Sequence, residues 1–157
     1  MIEQAEGLTN QAPVSAVSAL GRLLVIEDDP TICMLIEKLA EKAGFKATSV
    51  DSFDDAVRLL ETNQFDCITL DLLIGTKTGI AVLLCLADMG TTAPIIVISG
   101  SPPSGIDLAK TVGKMLRLNM LETLAKPIDF TVLRTALARV KEHCDLKRNT
   151  TSVIFAG

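Results

Sequence analysis

Short apolar runs alternate along the chain with segments in which apolar residues recur at helical spacing. The apolar runs lie at residues 22–26, 46–50, 66–70, 94–98 and 121–125, and short continuous runs of this kind are typical of buried parallel strands. The segments between them carry an apolar residue every three or four positions, as amphipathic helices do. This alternation predicts an α/β fold, namely a doubly wound five-stranded parallel sheet with helices on both faces.

Capping and turn-forming residues mark the ends of the predicted helices. Asp29 before Pro30, Ser52 and Asp129 are suited to cap helix N-termini, and Gly44 is suited to end the first helix. Two segments rich in turn-forming residues, 74–79 and 101–105, are predicted loops. The residues expected to face the core in the later helices are Ile80, Leu83, Leu84, Ala87, Leu108, Val112, Met115, Phe130, Leu133, Leu137 and Val140.

The two ends of the chain lack these patterns. Residues 1–20 are small or polar without a strong period, which predicts a flexible N-terminal lead. Residues 21–143 form the predicted domain, and residues 144–157 a C-terminal tail with a frayed end, although Val153-Ile154-Phe155 is apolar enough to dock on a surface. The 157 residues suit about one domain, and so few follow the last predicted helix that we expect no output domain on this chain.

Charge and composition exclude several classes of function. The chain has 15 Lys and Arg residues against 19 Asp and Glu residues, and its net charge of −4 argues against nucleic-acid binding. No apolar run approaches the ~20 residues of a membrane span, and the N-terminus has acidic residues where a signal peptide has basic ones. The four cysteines form no C-x-x-C pair, which suggests reduced thiols. We therefore expect a cytoplasmic protein that binds neither nucleic acid nor a membrane.

Polar residues follow four of the predicted strands at the points where they end. Glu27 and Asp28 follow the first strand, Asp71 the third, Ser99 the fourth and Lys126 the fifth. In a doubly wound sheet, functional sites lie beyond the carboxyl ends of the strands. Clustered carboxylates favour a bound cation, and hard oxygen ligands beside a lysine suggest Mg²⁺ together with a phosphoryl group. A carboxylate in such a site can also act as a nucleophile and form an acyl phosphate.

Four motifs at these strand ends resemble those of one protein family. In chain order they are LLVIEDDP, FDCITLDLLIGTKTG, APIIVISG and LAKP. The sequence resembles the receiver domain of response regulators in two-component signalling over about residues 21–142. The resemblance implies a flavodoxin-like sheet with strand order 2-1-3-4-5, and a signalling module rather than an enzyme.

The resemblance also implies a role for each residue at the strand ends. Asp71 would accept a phosphoryl group from the phosphohistidine of a histidine kinase. Ser99 and Lys126 would contact the phosphoryl group once it is attached. The implied ligands of Mg²⁺ are Glu27, Asp28, Asp71 and the backbone carbonyl of Leu73.

As the resemblance implies, phosphorylation would reposition Ser99 and the face formed by the fourth helix, the fifth strand and the fifth helix. That face would then bind an unknown downstream protein, or a second copy of the chain in a homodimer. An alternative is that the protein passes its phosphoryl group to a histidine phosphotransfer protein in a phosphorelay.

The sequence departs from the family's pattern in several places. Gly75 stands where a proline is usual, and Thr78 where an aspartate is usual. Thr123 stands where many receivers have a tyrosine or phenylalanine that switches rotamer. The stretch between Ser99 and Lys126 is also longer than is common, and it resembles receivers fused to cyclic-di-GMP phosphodiesterase (EAL) domains.

Leu73 bears on two further alternatives. A small Mg²⁺-dependent phosphohydrolase of the haloacid dehalogenase type would need an acid two residues after its nucleophile Asp71, and Leu73 is there instead. A degenerate receiver that binds partners constitutively is disfavoured because all the residues assigned above are present. Since an apolar side chain cannot orient an attacking water, we expect Leu73 to slow the hydrolysis of an aspartyl phosphate.

Overall fold

The computed structural model describes residues 19–155. Residues 1–18 of the predicted N-terminal lead lie outside the described residues. The elements, in chain order, are β1 (Gly21–Ile26), α1 (Pro30–Lys42), β2 (Phe45–Val50), α2 (Phe53–Thr62), β3 (Cys67–Leu70), β4 (Leu73–Ile74), β5 (Lys77–Thr78), α3 (Gly79–Asp88), β6 (Ile95–Ser99), α4 (Pro103–Met115), β7 (Met120–Ala125) and α5 (Phe130–Phe155).

Five of the strands form one parallel sheet with the order β2-β1-β3-β6-β7. Counted among these five strands alone, this is the predicted order 2-1-3-4-5, and the predicted flavodoxin-like fold is confirmed. The other two strands, β4 and β5, pair with each other in an antiparallel ladder of two residues each. The prediction of a loop over residues 74–79 is therefore wrong in part, because this segment contains the end of β4 and all of β5. Gly75, at a φ of 57°, lies in the turn between the two strands.

Side-chain caps fix where three of the helices begin, as predicted. The carboxylate of Asp29 accepts hydrogen bonds from the first amides of α1, and Ser52 accepts one from Asp55 in α2. Asp129 accepts from two amides at the start of α5, at 2.9 and 3.2 Å. These bonds satisfy amides that have no partner within a helix, so each helix starts directly after the strand or loop before it.

The alternation of side chains along the strands gives the sheet two apolar faces. One face carries Leu24 and Leu70 and packs against α2, α3 and α4. The other carries Val25 and Ile98 and packs against α1 and α5. Because helices cover both faces, every residue of the central strands β3 and β6 is buried, whereas the edge strands β2 and β7 are partly exposed.

The predicted core face of α4 is wrong in part, since of its three residues only Val112 is half-buried. Leu108 and Met115 are exposed by 55% and 77%, and the buried residues are Ala109 and Gly113. The cause is a close approach between α4 and β7, because a Cβ atom at position 113 would lie 2.5 Å from the sulfur of Met120. Only small residues fit at this contact. Leu108 and Met115 therefore face solvent, whereas Ile106 and Val112, to either side of the contact, are half-buried.

Two further residues predicted to be in the core, Leu84 and Phe130, are also exposed. In α3 the buried positions are Val82, Leu83 and Leu86, so the buried stripe is rotated by part of a turn from the predicted one. In α5, Leu133, Leu137 and Val140 are buried as predicted, and Ala136 joins them.

The C-terminal tail is not irregular where it is described, because α5 continues without a break to Phe155. Arg148 holds this part of the helix against the domain: its guanidinium donates to the carbonyl of Ala19 at 2.8 Å and lies 3.4 Å from the carboxylate of Asp66. Beyond this contact, Val153, Ile154 and Phe155 are exposed. Neither α5 nor any other helix within residues 19–155 has the length and hydrophobicity that a bilayer span requires.

Candidate functional site

The carboxyl ends of the central strands bring together most of the residues predicted for the site. Glu27 directly follows β1, Asp71 follows β3 and Lys126 follows β7. Since β1, β3, β6 and β7 are consecutive neighbours in the sheet, these side chains meet at one edge. Ser99, the last residue of β6, lies at the same edge, and its carbonyl accepts a hydrogen bond from the amide of Lys126 at 2.9 Å.

Three carboxylates form an acidic cluster at this edge. One oxygen from each of Glu27, Asp28 and Asp71 lies within 4.8 Å of the others. Glu27 and Asp71 are only 2% and 4% exposed, whereas Asp28 is open to solvent. Burial raises the pKa of Glu27, and the hydrogen bond from Lys126 opposes this effect without cancelling it. Glu27 therefore keeps its proton to a higher pH than an exposed glutamate would.

Lys126 joins the two buried acids. Its Nζ lies 2.9 Å from Oε2 of Glu27 and 3.0 Å from Oδ2 of Asp71. Burial alone would lower the pKa of Lys126, but the hydrogen bonds to the two carboxylates outweigh burial and raise the pKa. The lysine thus stays charged beside Asp71. The peptide bond from Lys126 to Pro127 is cis.

Backbone amides hold the carboxylate oxygens that Lys126 does not reach. Oδ1 of Asp71 accepts from the amide of Leu73 at 2.9 Å, and Oδ2 of Asp28 accepts from the amide of Gly75 at 3.2 Å. The segment after β3 therefore fixes two of the three acids. The apolar side chain of Leu73 is not part of this hydrogen bonding and is 56% exposed.

The hydroxyl of Ser99 is fully buried and forms its hydrogen bonds with Ser101. It donates to Oγ of Ser101 at 2.9 Å and accepts from the amide of Ser101 at 3.1 Å. Within residues 19–155 it makes no hydrogen bond to Asp71 or Lys126. Ser101 was not singled out by the sequence analysis, which treated it only as part of a loop. The available signal was a second hydroxyl two residues after the strand-end serine.

The donor set fits a divalent cation that prefers oxygen. The cluster holds three carboxyl groups, and its one ammonium group, that of Lys126, contacts only two of them, so a divalent cation would balance the remaining negative charge. Mg²⁺ is bound in proteins by one or two carboxylates together with water and phosphate oxygens, and the exposed Asp28 leaves this side of the cluster open to solvent.

A family model, described as the response regulator receiver domain, matches residues 23–138. The chain belongs to the response regulator receiver family. Among curated relatives of this receiver domain, the transcriptional regulatory protein MalR of Bacillus subtilis is 32% identical over 118 residues, which cover 74% of the chain and 48% of MalR. The transcriptional regulatory protein ZraR of Salmonella typhimurium is 25% identical over 121 residues. The chain thus spans about half the length of MalR and a quarter of ZraR.

Solved receiver structures have the same fold. A response regulator from Colwellia psychrerythraea superposes with a TM-score of 0.70 at 28% identity, over 79% of this chain and 98% of that one. The receiver domain of Francisella response regulator 1452 superposes with a TM-score of 0.68 at 22% identity, over 79% of this chain and 98% of that one. The likeness to the Francisella domain supports the fold alone.

The single-residue departures from the family pattern lie in the segment after β3 and on β7. Gly75 has the positive φ of the β4–β5 turn, and Thr78 precedes α3 without a side-chain cap bond. Thr123 is half-buried on β7, in register with Val97 of β6. Within the described residues, β7 carries no aromatic side chain at all.

Proposed function

We propose that this receiver domain accepts a phosphoryl group on Asp71 from the phosphohistidine of a histidine kinase. The observation that carries the proposal is the Asp71 carboxylate, which is buried, lies in an acidic cluster and is paired at 3.0 Å with a lysine. A phosphoryl group brings negative charge to its acceptor, so an acceptor without a nearby cation would be strongly disfavoured.

In the proposed reaction, one carboxylate oxygen of Asp71 attacks phosphorus and forms a P–O bond. The bond from phosphorus to the histidine nitrogen breaks, and its electron pair stays on that nitrogen. The imidazole leaves as a neutral molecule because the other ring nitrogen carries a proton in the reacting phosphohistidine. Lys126 can stabilise the negative charge as it moves from the carboxylate to the phosphoryl oxygens, because its Nζ already contacts Oδ2 of Asp71.

Mg²⁺ would be held by Glu27, Asp28, Asp71 and the backbone carbonyl of Leu73. When bound, it supplies positive charge to the phosphoryl oxygens during transfer. Glu27 contributes most effectively when deprotonated. Its raised pKa therefore predicts that metal binding weakens as the pH falls into the range where Glu27 is protonated.

The signal is proposed to leave through the face formed by α4, β7 and α5. β6 ends at the site residue Ser99, and the site residue Lys126 directly follows β7, so a change at Asp71 can act on each of these strands. The downstream partner is a protein, which is either a target, a phosphotransfer protein or a second copy of this chain. A phosphohydrolase remains disfavoured because the residue two positions after Asp71 is the apolar Leu73.

The proposal is tested by incubating the full chain with acetyl phosphate and Mg²⁺ and measuring the intact mass. We expect the mass to increase by one phosphoryl group, and the adduct to be removed by hydroxylamine, which cleaves acyl phosphates. Asp71→Asn should abolish the increase, whereas Asp66→Asn, at the opposite end of β3, should not. An unmodified wild-type chain, or equal modification of the Asp71→Asn variant, would contradict the proposal.

A further inference from the structure

The β4–β5 hairpin, residues 73–78, is tied to three of the four groups proposed to bind Mg²⁺. Its first residue, Leu73, supplies the proposed carbonyl ligand and donates its amide to Oδ1 of Asp71 at 2.9 Å. In the turn of the hairpin, the amide of Gly75 donates to Oδ2 of Asp28 at 3.2 Å. The conformation of the hairpin therefore fixes where these ligand groups lie relative to one another.

The bond from Gly75 matters most for Asp28, because this carboxylate has no other support. Asp28 is exposed, and among the described residues the Gly75 amide is the only group that hydrogen-bonds its side chain. Glu27 and Asp71 are buried instead, and each is held by Lys126 and by one backbone amide. An exposed aspartate without a partner would spread over three staggered rotamers of χ1. The Gly75 amide thus selects one orientation of Asp28.

The turn has a fixed position because the hairpin is anchored at its base. Ile74, in β4, is only 2% exposed and belongs to the apolar cluster on the α3 side of the sheet. At the other end of the hairpin, Gly79 donates its amide to the carbonyl of Leu72 at 2.8 Å. Both ends are therefore attached to the segment that follows β3, and the Gly75 amide points in a defined direction.

The residue type at position 75 decides whether this bond can form. Gly75 adopts a positive φ that favours glycine, and a Cβ atom there would meet nothing within 4 Å. Proline, the residue usual at this position in the family, has no amide hydrogen and a φ fixed at about −65°. A proline could neither donate to Asp28 nor adopt this turn. Glycine thus gives this chain a contact that a proline would remove.

We infer that Gly75 is a positioning residue for cation binding and that it acts through Asp28. The inference deepens the proposed function and rests on it, because that proposal makes Asp28 a ligand of Mg²⁺. Without the bond, about one molecule in three would present Asp28 in the required rotamer, and the apparent affinity for the cation would fall by that fraction. Such coupling is reciprocal, so a bound cation would stabilise the turn by the same factor.

The test measures the Kd of the full chain for Mg²⁺ by proton–nitrogen NMR titration at constant ionic strength, without a phosphoryl donor. Gly75→Pro should raise the Kd about threefold. Gly75→Asn is the matched control, because asparagine keeps the amide hydrogen and tolerates a positive φ. Its Kd should stay within about 1.5-fold of the wild-type value.

A second pair of variants shows whether the effect passes through Asp28. In an Asp28→Ala background, adding Gly75→Pro should leave the Kd unchanged, since no carboxylate is left to be positioned. The inference would be overturned by an equal weakening in this background, or by Gly75→Pro alone binding Mg²⁺ as tightly as the wild type or more tightly. An equal weakening by Gly75→Asn would also overturn it.

The wild-type chain offers a measurement that does not depend on the folding of any variant. Saturating Mg²⁺ should slow the exchange of the Gly75 amide hydrogen with water about threefold, as measured by NMR. The amide of Gly90 is the control, because it lies in the turn after α3 and donates to the carbonyl of Ala87. Its exchange should not change. Exchange of the Gly75 amide at the same rate or faster with Mg²⁺ would contradict the inference.

Failure of this inference can be told apart from failure of the proposed function. If Mg²⁺ binds and Asp71 is phosphorylated, but Gly75→Pro has the wild-type Kd, only the inference about Gly75 is wrong. If the results for Gly75 are as expected but acetyl phosphate does not modify Asp71, the inference stands and the proposed phosphorylation does not. If the wild-type chain binds no Mg²⁺, both the proposed metal site and this inference are wrong.

Discussion

The hydroxyl of Thr69 is buried in the middle of β3 and has no hydrogen-bond partner among residues 19–155. Burying a hydroxyl without a partner costs about 1–3 kcal/mol. Thr69→Val keeps the shape of the side chain and removes the unpaired group, so we expect it to raise the free energy of unfolding by about 1 kcal/mol, measured by urea denaturation. The exposed Thr48→Val on β2 is the control and should change stability by less than about 0.5 kcal/mol. A destabilised Thr69→Val variant would contradict this prediction.

Leu73 provides a second prediction at the scale of single residues, and this one depends on phosphorylation of Asp71. Its exposed side chain flanks the acceptor but cannot hydrogen-bond a water molecule. Leu73→Asn supplies an amide that can, so we expect its aspartyl phosphate to decay on the order of tenfold faster than that of the wild type, followed by intact mass. Leu84→Asn, an exposed leucine on α3, is the control. Equal decay of the wild type and Leu73→Asn would refute the prediction.

The sequence was informative about the acids and the lysine of the site for a simple physical reason. Glu27, Asp71 and Lys126 follow three strands of one parallel sheet, and parallel strands that end at one edge bring together the residues that follow them. The sequence showed a second hydroxyl two residues after Ser99, but not the hydrogen bonds between Ser99 and Ser101, because these depend on a side-chain rotamer and on the path of one loop. The lack of a hydrogen-bond partner for the hydroxyl of Thr69 could not be predicted either, since threonine is common in strands whether or not its hydroxyl is paired.

At the scale of elements, Gly79 controls how closely α3 approaches the acceptor segment. A Cβ atom there would lie 2.6 Å from Cα of Leu72 and 3.0 Å from the carbonyl oxygen of Asp71. Backbone cannot move aside as a side chain can, so we expect Gly79→Ala to lower the free energy of unfolding by about 1–3 kcal/mol and to slow phosphorylation of Asp71. Urea denaturation and intact mass would measure the two effects.

Gly100→Ala is the matched control for Gly79. The nearest atom to its Cβ would be Cδ of Lys126 at 3.9 Å, which is an ordinary contact. We expect this variant to change stability by less than about 0.5 kcal/mol. If the two alanine variants were equally stable, the close packing of Gly79 against Leu72 could not be what fixes α3.

The errors in predicting the elements have two different causes. The helical period of α4 predicted an apolar stripe correctly, but a period does not show which stripe faces the sheet when small residues are required, as at Gly113 against Met120. The ladder of β4 and β5 has only two residues in each strand, too few for an alternating pattern to be recognised. The length of α5 was missed because the contact of Arg148 with Asp66 joins residues that are far apart in sequence.

At the scale of the whole molecule, the buried thiols predict how stability depends on pH. Burial raises the pKa of the Cys67 thiol from 9.0 to about 12. Below pH 9 the thiol is protonated in both the folded and the unfolded chain. Above it the unfolded chain loses the proton first, so stability falls as the pH rises toward 12, by up to about 1.4 kcal/mol per pH unit.

Urea denaturation of the wild type and Cys67→Ala between neutral pH and about pH 10.5 would measure this effect. The variant starts from a lower stability because it leaves a small cavity, but its stability should fall less steeply with pH. The comparison isolates Cys67 from the lysines, which both proteins share. Parallel pH profiles would show that the thiol does not contribute.

The global arrangement was the part of the structure most accessible to the sequence. Alternating strands and helices leave few topologies for a parallel sheet, because crossovers are short and right-handed. The strand order itself was implied by the resemblance to receiver domains, and the full burial of β3 and β6 agrees with their central positions in the sheet. The domain limits at residues 21 and 143 remain a prediction, while α5 passes residue 143 without interruption.

The two hydrogen bonds between Ser99 and Ser101 set the equilibrium between the observed rotamer of Ser99 and a rotamer that makes neither bond. At roughly 1 kcal/mol for each bond, a rotamer of Ser99 that abandons both is disfavoured by about 2 kcal/mol and has a population of about 3%. A ligand on Asp71 that offered this hydroxyl an acceptor would need to supply only that difference to make the two populations equal. Because α4 begins so soon after Ser101, the helix would share in this redistribution, and weak affinity for a partner before phosphorylation would be an expected property of the domain.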